Sequence, residues 1–173
     1  LPIYDDKIYQ VDISLKYYEQ IESIIDFDAI RKSKINILID SMSGAGQQTL
    51  ENLLIMNDVN CKSIYKIAEP DFSKRIPNPL GENLFPLREE LIKSNYSFGI
   101  ATDGDADRLS VMLENGEYLN PQETALLFAD YIVNKKEING DIIKSVAVTD
   151  KLHFFADDKR KVTDVPVGIK FIC

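Results

Sequence analysis

Three aspartates alternate with very small residues in the segment I-A-T-D-G-D-A-D-R-L, residues 100–109. These carboxylates belong to Asp103, Asp105 and Asp107. The glycine and the alanine between them leave room for a tight curl of the backbone that would bring the carboxylates to one point. Three close negative charges repel one another unless a cation joins them, and Mg²⁺ is a hard cation that prefers oxygen ligands. The spacing therefore predicts a Mg²⁺ site held by these three side chains.

Apolar residues flank the aspartate loop, which we define as residues 103–108. The run 98–101 precedes the loop and the run 109–113 follows it. A buried strand that ends in the loop would place the carboxylates at the edge of the sheet where open α/β folds usually hold ligands. We therefore expect a strand on each side of the loop, and the rest of the chain must position those strands.

An EF-hand calcium loop is one alternative interpretation of this spacing. The aspartates would occupy positions 1, 3 and 5 of such a loop, and Glu114 would fall at position 12. However, the sixth position must be glycine for the sharp turn, and Arg108 stands there. The flanking residues also have the pattern of strands rather than of helices, so the spacing argues against an EF-hand.

Three further interpretations of the aspartate loop stay open. In haloacid-dehalogenase-like phosphatases a D-x-D pair follows an apolar strand, and its first carboxylate attacks phosphate with the help of Mg²⁺. Asp103 and Asp105 fit that spacing, although about a hundred residues precede them here and the motif usually stands near the start of its domain. The loop would also suit a non-catalytic metal-binding module, or a solvated acidic turn with no metal.

Composition and charge narrow the class of protein. A length of 173 residues suits one or two domains, and a net charge of −8 argues against nucleic acid or an anionic membrane as a partner. No apolar run is long enough to span a bilayer. Cys61 and Cys173 lie too far apart to indicate a disulfide framework, so we expect a reducing, cytoplasmic location. The chain starts without Met and stops in an apolar segment, which indicates a piece of a longer polypeptide.

Strand and helix patterns alternate along the whole chain and predict an α/β fold. The apolar and β-branched runs predict strands at 34–40, 61–68, 97–101, 109–113, 142–148 and 161–165. Helical spacing predicts helices at 12–26, 50–56, 84–92, 120–136 and 152–156. The segment N-P-Q-E, residues 120–123, has the residues of a capping box with proline at the first helical position. We expect two three-layer α/β modules with mixed sheets, the second of them incomplete.

Several segments resemble the α-D-phosphohexomutases, the phosphoglucomutase and phosphomannomutase family. T-D-G-D-A-D-R matches the metal-loop signature of that family at every position. K-I-N-I-L-I-D-S-M-S-G-A-G (34–46) resembles the strand and glycine turn that open its second domain, and E-P-D-F-S-K-R-I-P-N-P-L-G-E-N-L (69–84) resembles its proline-rich connection. V-P-V-G-I-K-F-I (165–172) is similar to a third-domain segment that approaches the active site.

This resemblance implies a division of the chain into three parts. Residues 1–10 would be a linker or the tail of a preceding domain, residues 11–118 the second domain with the metal loop, and residues 119–173 the N-terminal part of the third domain. The phosphoserine, sugar-binding and distal phosphate-binding loops of the family do not occur in the sequence. We therefore expect the missing first and fourth domains as partners, and no mutase activity from this chain alone.

The resemblance also implies an activity and roles for named residues. The full-length enzyme would interconvert hexose 1-phosphate and hexose 6-phosphate through a phosphoserine and a bisphosphorylated sugar. The three aspartates would hold Mg²⁺, Arg108 would contact the phosphate or its serine, and Lys170 would act as a general acid/base or phosphate contact. Ser43 departs from the family pattern because many relatives have histidine there, and T-D-K at 149–151 replaces a more usual Thr/Ser–Ser pair.

Other polar candidates carry less information. His153 is the only histidine, and its position beside two phenylalanines indicates a packed or partly exposed side chain rather than a catalyst. With one histidine and two distant cysteines, a zinc site is not expected. Gly44 and Gly46 would either approach a phosphate or simply turn the chain.

Overall fold

The structure, a computed structural model, describes residues 11–172. The predicted linker at 1–10 lies outside the described residues. The α-helices are α1 (Ser14–Glu22), α2 (Phe27–Ser33), α3 (Thr49–Met56), α4 (Phe85–Ile92) and α5 (Pro121–Asp130), and α5 continues into a π-helical turn at Tyr131–Lys135. The strands are β1 (Asn36–Asp40), β2 (Asn60–Ile64), β3 (Phe98–Thr102), β4 (Leu109–Leu113), β5 (Tyr118–Leu119), β6 (Ile142–Ser145) and β7 (Val162–Val165). Short 3₁₀ turns occur at Phe72–Lys74, Gly81–Leu84, Asp150–Phe155 and Ile169–Phe171.

Five strands form a mixed sheet in the order β2-β1-β3-β4-β5. Strand β1 is parallel to both β2 and β3, whereas β4 is antiparallel to β3 and to β5. The parallel part arises because α3 and α4 return the chain to the same edge after β1 and β2. The carboxyl ends of β1 and β3 therefore lie side by side, with Asp40 paired to Ala101 in register.

Helices cover both faces of this sheet, which gives three layers. On one face, α1, α2 and α3 pack against β1 around a core of Tyr18, Phe27, Ile37, Ile39, Leu53, Leu54 and Val59. On the other face, α4 packs against the central strands around Leu38, Met42, Leu84, Leu87, Leu91, Ala101 and Met112. Successive residues of β1 alternate between the two cores, as expected for a strand buried on both faces.

The structure corrects the first predicted helix. A single helix at 12–26 was wrong, because the chain turns after Glu22 and Asp26 caps a second helix, α2, by accepting a hydrogen bond from the Ala29 amide at 2.9 Å. Within the predicted helix, Tyr18 and Ile21 contact the core, whereas Leu15 is 65 % exposed. An N-cap residue inside the apolar pattern, Asp26, therefore marks the start of a separate helix.

Several predicted boundaries also move inward. Strand β2 stops at Ile64 because Tyr65 adopts a left-handed conformation, with φ of 47°. The helix predicted at 84–92 begins at Phe85, and Asn83 lies in the 3₁₀ turn before it, where its side-chain amide donates to the Asn78 carbonyl. The predicted strand at 142–148 ends at 145, and the predicted helix at 152–156 is the 3₁₀ turn at Asp150–Phe155.

The second part of the chain begins with the predicted capping box. Asn120 accepts hydrogen bonds from the Gln122 and Glu123 amides, and the Glu123 carboxylate accepts one from the Asn120 amide. Strands β6 and β7 then pair in parallel as a separate two-stranded sheet. Across residues 11–172, we find no helix long and apolar enough to cross a membrane.

Candidate metal centre

The aspartate loop connects two antiparallel strands at the edge where the parallel strands end. Strand β3 ends at Thr102, which pairs with Leu109 at the start of β4. The Asp103 amide donates to the Arg108 carbonyl at 3.2 Å, and the Ala106 amide donates to the Asp103 carbonyl at 3.2 Å. Ala106 has a φ of 61°, so the backbone curls left-handed in the middle of the loop. The small residues thus permit the tight curl that the sequence predicted.

The curl brings the three carboxylates together. One oxygen from each of Asp103, Asp105 and Asp107 lies within 4.8 Å of the others. Asp103 is buried, whereas the other two side chains face solvent. The negative charge of Asp105, with a smaller contribution from burial, raises the pKa of Asp107. The loop therefore carries an excess of negative charge at one point, and a divalent cation of oxygen-binding type fits that donor set.

Arg108 fixes the first aspartate. Its backbone amide donates to Oδ1 of Asp103 at 3.0 Å, and its Nε donates to Oδ2 at 2.7 Å. Burial on its own raises the pKa of Asp103, but these bonds outweigh it and hold the pKa of that carboxyl below its ordinary value. Asp103 is thus ionised and oriented, and each oxygen keeps a further lone pair for a metal.

The geometry of Asp103 also argues against the phosphatase interpretation. In that mechanism the first aspartate is the nucleophile, so one of its oxygens must reach a phosphorus atom. Here the Asp103 side chain is 1 % exposed, and Arg108 bonds to both of its oxygens. A carboxylate held in this way is suited to support the loop and to bind a metal rather than to attack a substrate.

The guanidinium of Arg108 extends beyond this contact. The Arg108 side chain is 62 % exposed, and its Nη1 lies 3.4 Å from Oδ1 of Asn78. Nη2 makes no hydrogen bond to any side chain or carbonyl in residues 11–172. Arg108 therefore presents a fixed cation at the rim of the aspartate loop, and such a fork-shaped cation suits a phosphate.

The turn after β1, residues 41–46, packs directly against the aspartate loop, and we call it the glycine turn. A Cβ added to Gly44 would lie 2.6 Å from the Gly104 carbonyl oxygen, so no larger residue fits without displacing the backbone. The Ala45 amide donates to the same carbonyl at 2.8 Å. Close approach to the aspartate loop, a role that the sequence analysis did not predict, explains Gly44.

The structure does not bring Lys170 to the aspartate loop. Lys170 lies in an exposed 3₁₀ turn, and its Nζ sits 5.0 Å from the ring centre of Phe171. Within the described part of the chain, it makes no hydrogen bond or ion pair with the three aspartates. Its predicted catalytic role stays a prediction.

A second group of potential metal ligands was missed from the sequence. Ligand atoms of Asp150, His153 and Asp164 also lie within 4.8 Å of one another. However, Lys144, whose side chain is 2 % exposed, bonds to both Asp150 and Asp164 through its ammonium group. We call these four residues the lysine cluster. His153 is partly exposed, as predicted, and its Nε2 lies 2.9 Å from Asp164.

A buried ion pair beside the loop was also missed. Asp40, the fully buried last residue of β1, accepts two hydrogen bonds of 2.9 Å from the Arg75 guanidinium. A charged residue at the end of the apolar run N-I-L-I-D was the available signal, because a buried carboxylate needs a partner. The identity of that partner depended on the tertiary fold, since Arg75 lies 35 residues further along the chain.

Comparison with known proteins gives a consistent family. The family model for phosphoglucomutase/phosphomannomutase, alpha/beta/alpha domain II, matches residues 15–116. A phosphoglucomutase/phosphomannomutase from Thermococcus kodakarensis is 35 % identical over 143 residues, which cover 82 % of this chain and 30 % of that protein. A protein assigned as a phosphoglucosamine mutase in Methanosarcina acetivorans is 31 % identical over 147 residues, covering 82 % of this chain and 33 % of that protein.

A solved structure shares the fold. The crystal structure of a Thermus thermophilus protein assigned as a phosphomannomutase superposes with a TM-score of 0.82 at 31 % identity. The match covers 92 % of this chain and 37 % of that chain. This chain therefore spans only about a third of the length of the curated relatives that it matches.

Proposed function

Because the chain belongs to the α-D-phosphohexomutase family, the phosphoglucomutases and phosphomannomutases, we propose that it supplies the metal loop of an enzyme that interconverts hexose 1-phosphate and hexose 6-phosphate. In this proposal residues 11–118 are the second domain of that enzyme and residues 119–173 the first part of the third. The observation that carries the proposal is the convergence of three aspartate oxygens within 4.8 Å at the carboxyl end of β3.

The three aspartates would hold Mg²⁺ in the full-length enzyme. Their oxygens converge, their negative charges are in excess, and carboxylates are the ligands that Mg²⁺ prefers. When bound, Mg²⁺ would supply positive charge that offsets the negative charge spread over phosphoryl oxygens during transfer. A phosphoserine oxygen from polypeptide outside this chain would complete the ligand set, so we expect the chain alone to bind Mg²⁺ weakly.

Arg108 would orient the phosphoryl group. Its Nε and its backbone amide donate to Asp103 and its Nη1 lies 3.4 Å from Oδ1 of Asn78, which leaves Nη2 for a phosphate. A guanidinium whose inner nitrogen is fixed has little freedom left to lose on binding, so it would contact a phosphate at small entropic cost. Arg108 thus would connect the metal ligands to the substrate phosphate or to the phosphoserine.

The role proposed for Lys170 is a general acid/base or phosphate contact. Lys170 lies two residues after Gly168, in the 3₁₀ turn that follows β7, and it is exposed. Because its ammonium group is exposed to solvent, a hexose phosphate or a neighbouring domain would be free to approach it. Hexose phosphate and the remaining domains of the same polypeptide are the partners in this proposal.

The direct test is an assay of the full-length protein. Glucose 1-phosphate and mannose 1-phosphate would each be offered with Mg²⁺ and glucose 1,6-bisphosphate as activator, and formation of the 6-phosphate would be followed. We expect turnover by the wild type, its loss in Asp105→Asn, and its retention in the control variant Asp158→Asn, which changes an exposed aspartate outside the loop. Full activity of Asp105→Asn, or no turnover of any hexose phosphate by the wild type, would contradict the proposal.

A further inference from the structure

The segment at residues 69–79, which we call the bracing segment, also contacts the aspartate loop. The Gly104 amide donates to the Pro77 carbonyl at 3.1 Å, and the Asn78 side chain lies 3.4 Å from the Arg108 guanidinium. A Cβ added to Gly104 would lie 3.1 Å from the Phe72 ring. Two segments that belong to neither of its own strands, the glycine turn and the bracing segment, therefore contact the loop.

The bracing segment is itself held in a strained shape. Three consecutive residues at 72–74 have positive φ values between 51° and 60°, a conformation that non-glycine residues rarely adopt. Such a backbone persists only when surrounding contacts determine it. Two sets of contacts do so here, and both anchor the segment to the end of β1 and the turn that follows.

The first anchor is the pair of Arg75 with Asp40. The Asp40 side chain is fully buried and the Arg75 side chain is 15 % exposed. The guanidinium also stacks on Tyr65, with 4.1 Å between the Arg75 Cζ and the ring centre. Because a planar guanidinium meets a carboxylate through two parallel hydrogen bonds, this pair fixes the direction as well as the position of Arg75.

The second anchor joins the bracing segment to the glycine turn. The Ser43 and Ser73 hydroxyl oxygens lie 2.6 Å apart, and the Ser73 hydroxyl donates to the Glu69 carboxylate at 2.9 Å. The Glu69 amide donates to the Ser43 carbonyl at 2.9 Å. Ser43, which departs from the family pattern, therefore has a structural partner in the bracing segment.

From these contacts we infer that the bracing segment fixes the aspartate loop in its metal-binding shape, and that Arg75 is the positioning residue on which this depends. The inference rests on the proposed metal site, but the claim that Arg75 positions the loop can be tested without a metal. Arg75 touches no aspartate of the loop, and it acts through Pro77, Asn78 and Phe72. Loss of the pair with Asp40 would release the strained turn and, with it, the contacts on Gly104 and Arg108.

Hydrogen exchange of the metal-free chain tests the positioning role of Arg75. In Arg75→Met we expect amide exchange across 103–108 to rise by about 10-fold or more, because local opening becomes easier, while exchange in α3 changes much less. The matched control is Lys66→Met, which removes the cation that pairs with buried Glu51 at 3.0 Å but contacts no part of the loop. Arg75→Lys keeps the charge without the parallel bonds, so we expect an intermediate rise.

Binding of Mn²⁺, followed by electron paramagnetic resonance, tests the link to the metal. Mutation of a residue that hydrogen-bonds to a metal ligand usually lowers metal affinity by about 10- to 100-fold. Arg75 is more remote, so we expect Arg75→Met to weaken Mn²⁺ binding by roughly 3- to 10-fold. Lys66→Met should bind as the wild type does. If Arg75→Met fails to fold, Arg75→Lys and Phe72→Ala carry the same test.

The outcomes separate the two claims. A folded Arg75→Met variant whose amide exchange at 103–108 equals that of the wild type would overturn the positioning role of Arg75. An equal rise in that exchange in Lys66→Met would overturn it as well. If the wild-type chain binds no Mn²⁺ but Arg75→Met still speeds amide exchange at 103–108, the result would contradict the metal site. It would leave the positioning role of Arg75 unaffected. Faster loop exchange together with weaker Mn²⁺ binding would support both.

Discussion

Two regions of the molecule each bring three potential metal-ligand atoms within 4.8 Å of one another, yet the two regions differ in charge. In the aspartate loop three carboxylates converge within 4.8 Å, and the one cation that contacts them in residues 11–172, Arg108, binds chiefly to Asp103. In the lysine cluster two carboxylates and a histidine also converge within 4.8 Å. There the ammonium group of Lys144 lies between the carboxylates and bonds to both.

The contrast between these regions shows that spacing alone does not define a metal site. In the lysine cluster the hydrogen bond to Asp164 is the main cause that raises the pKa of Lys144, and the same bond lowers the pKa of Asp164. In the aspartate loop the neighbouring charge of Asp105 raises the pKa of Asp107 instead. In the lysine cluster a cation of the chain itself bonds to both carboxylates, whereas the aspartate loop keeps a larger excess of negative charge, which an external cation would offset.

The largest effect is expected from removing an exposed aspartate of the loop. Asp105→Asn should weaken Mn²⁺ or Mg²⁺ binding by about 100-fold or more, because a direct ligand contributes more than its supporting residues do. Calorimetric titration of the chain measures this change. Asp150→Asn is the matched control from the lysine cluster and should leave the affinity unchanged; equal losses in the two variants would erase the distinction between the regions.

The second effect concerns the cation of the lysine cluster. Lys144→Met should lower the melting temperature by roughly 5 °C, because it leaves Asp150 and Asp164 close together without their cation. Thermal unfolding followed by circular dichroism measures it. Lys62→Met removes an exposed lysine paired with Glu90 and should change the melting temperature far less. An unchanged melting temperature in Lys144→Met would show that the buried ammonium group does not stabilise this region.

The third effect is a dependence on pH. The pKa of Asp164 in the folded chain lies below the ordinary value of 3.8, chiefly because of its hydrogen bond with Lys144. A lowered carboxyl pKa stabilises the fold above the ordinary value, and this stabilisation is lost as pH falls through the folded value. Asp164→Asn should therefore be less stable than the wild type at pH 6, and the gap should narrow toward pH 3. Urea unfolding at both pH values measures it, and a gap that widens in acid would refute this origin.

The smallest effect has the opposite sign. Asp107→Asn should slightly stabilise the metal-free chain near neutral pH, because it removes a carboxylate repelled by Asp105. The two asparagine variants, at 107 and at 164, thus should move the melting temperature in opposite directions. If Asp107→Asn destabilises the metal-free chain as Asp164→Asn does, the loop would not carry the excess charge described here.

The features that the sequence predicted are local ones. The alternating aspartates, the apolar run before them and the capping box at Asn120 all depend on residues close together in the chain, and each is present in the structure. The α/β class and the family followed from such segments. The helix predicted at 12–26 is instead two helices, the first ending at Glu22 and the second capped by Asp26.

The features that the sequence did not predict depend on distant partners. Lys144 is buried because the parallel pairing of β6 and β7 brings Asp164 beside it. Asp40 meets Arg75 only after the bracing segment folds back over the end of β1. No period or spacing in the sequence indicates which charges will pair, so the lysine cluster could not be distinguished beforehand from the aspartate loop as a candidate metal site.

The position of a bound cation decides whether the aspartate loop, rather than the lysine cluster, is the metal site. Mn²⁺ broadens the nuclear magnetic resonance signals of amides near its binding site, so substoichiometric Mn²⁺ added to the labelled chain would locate the metal. We predict selective broadening of the amides at 103–108 and of Ala45, whose amide bonds to the loop. Broadening centred on His153 and Asp164 would contradict the assignment of the aspartate loop as the metal site. Broadening at 103–108 no stronger than that at other exposed acidic residues would contradict it as well.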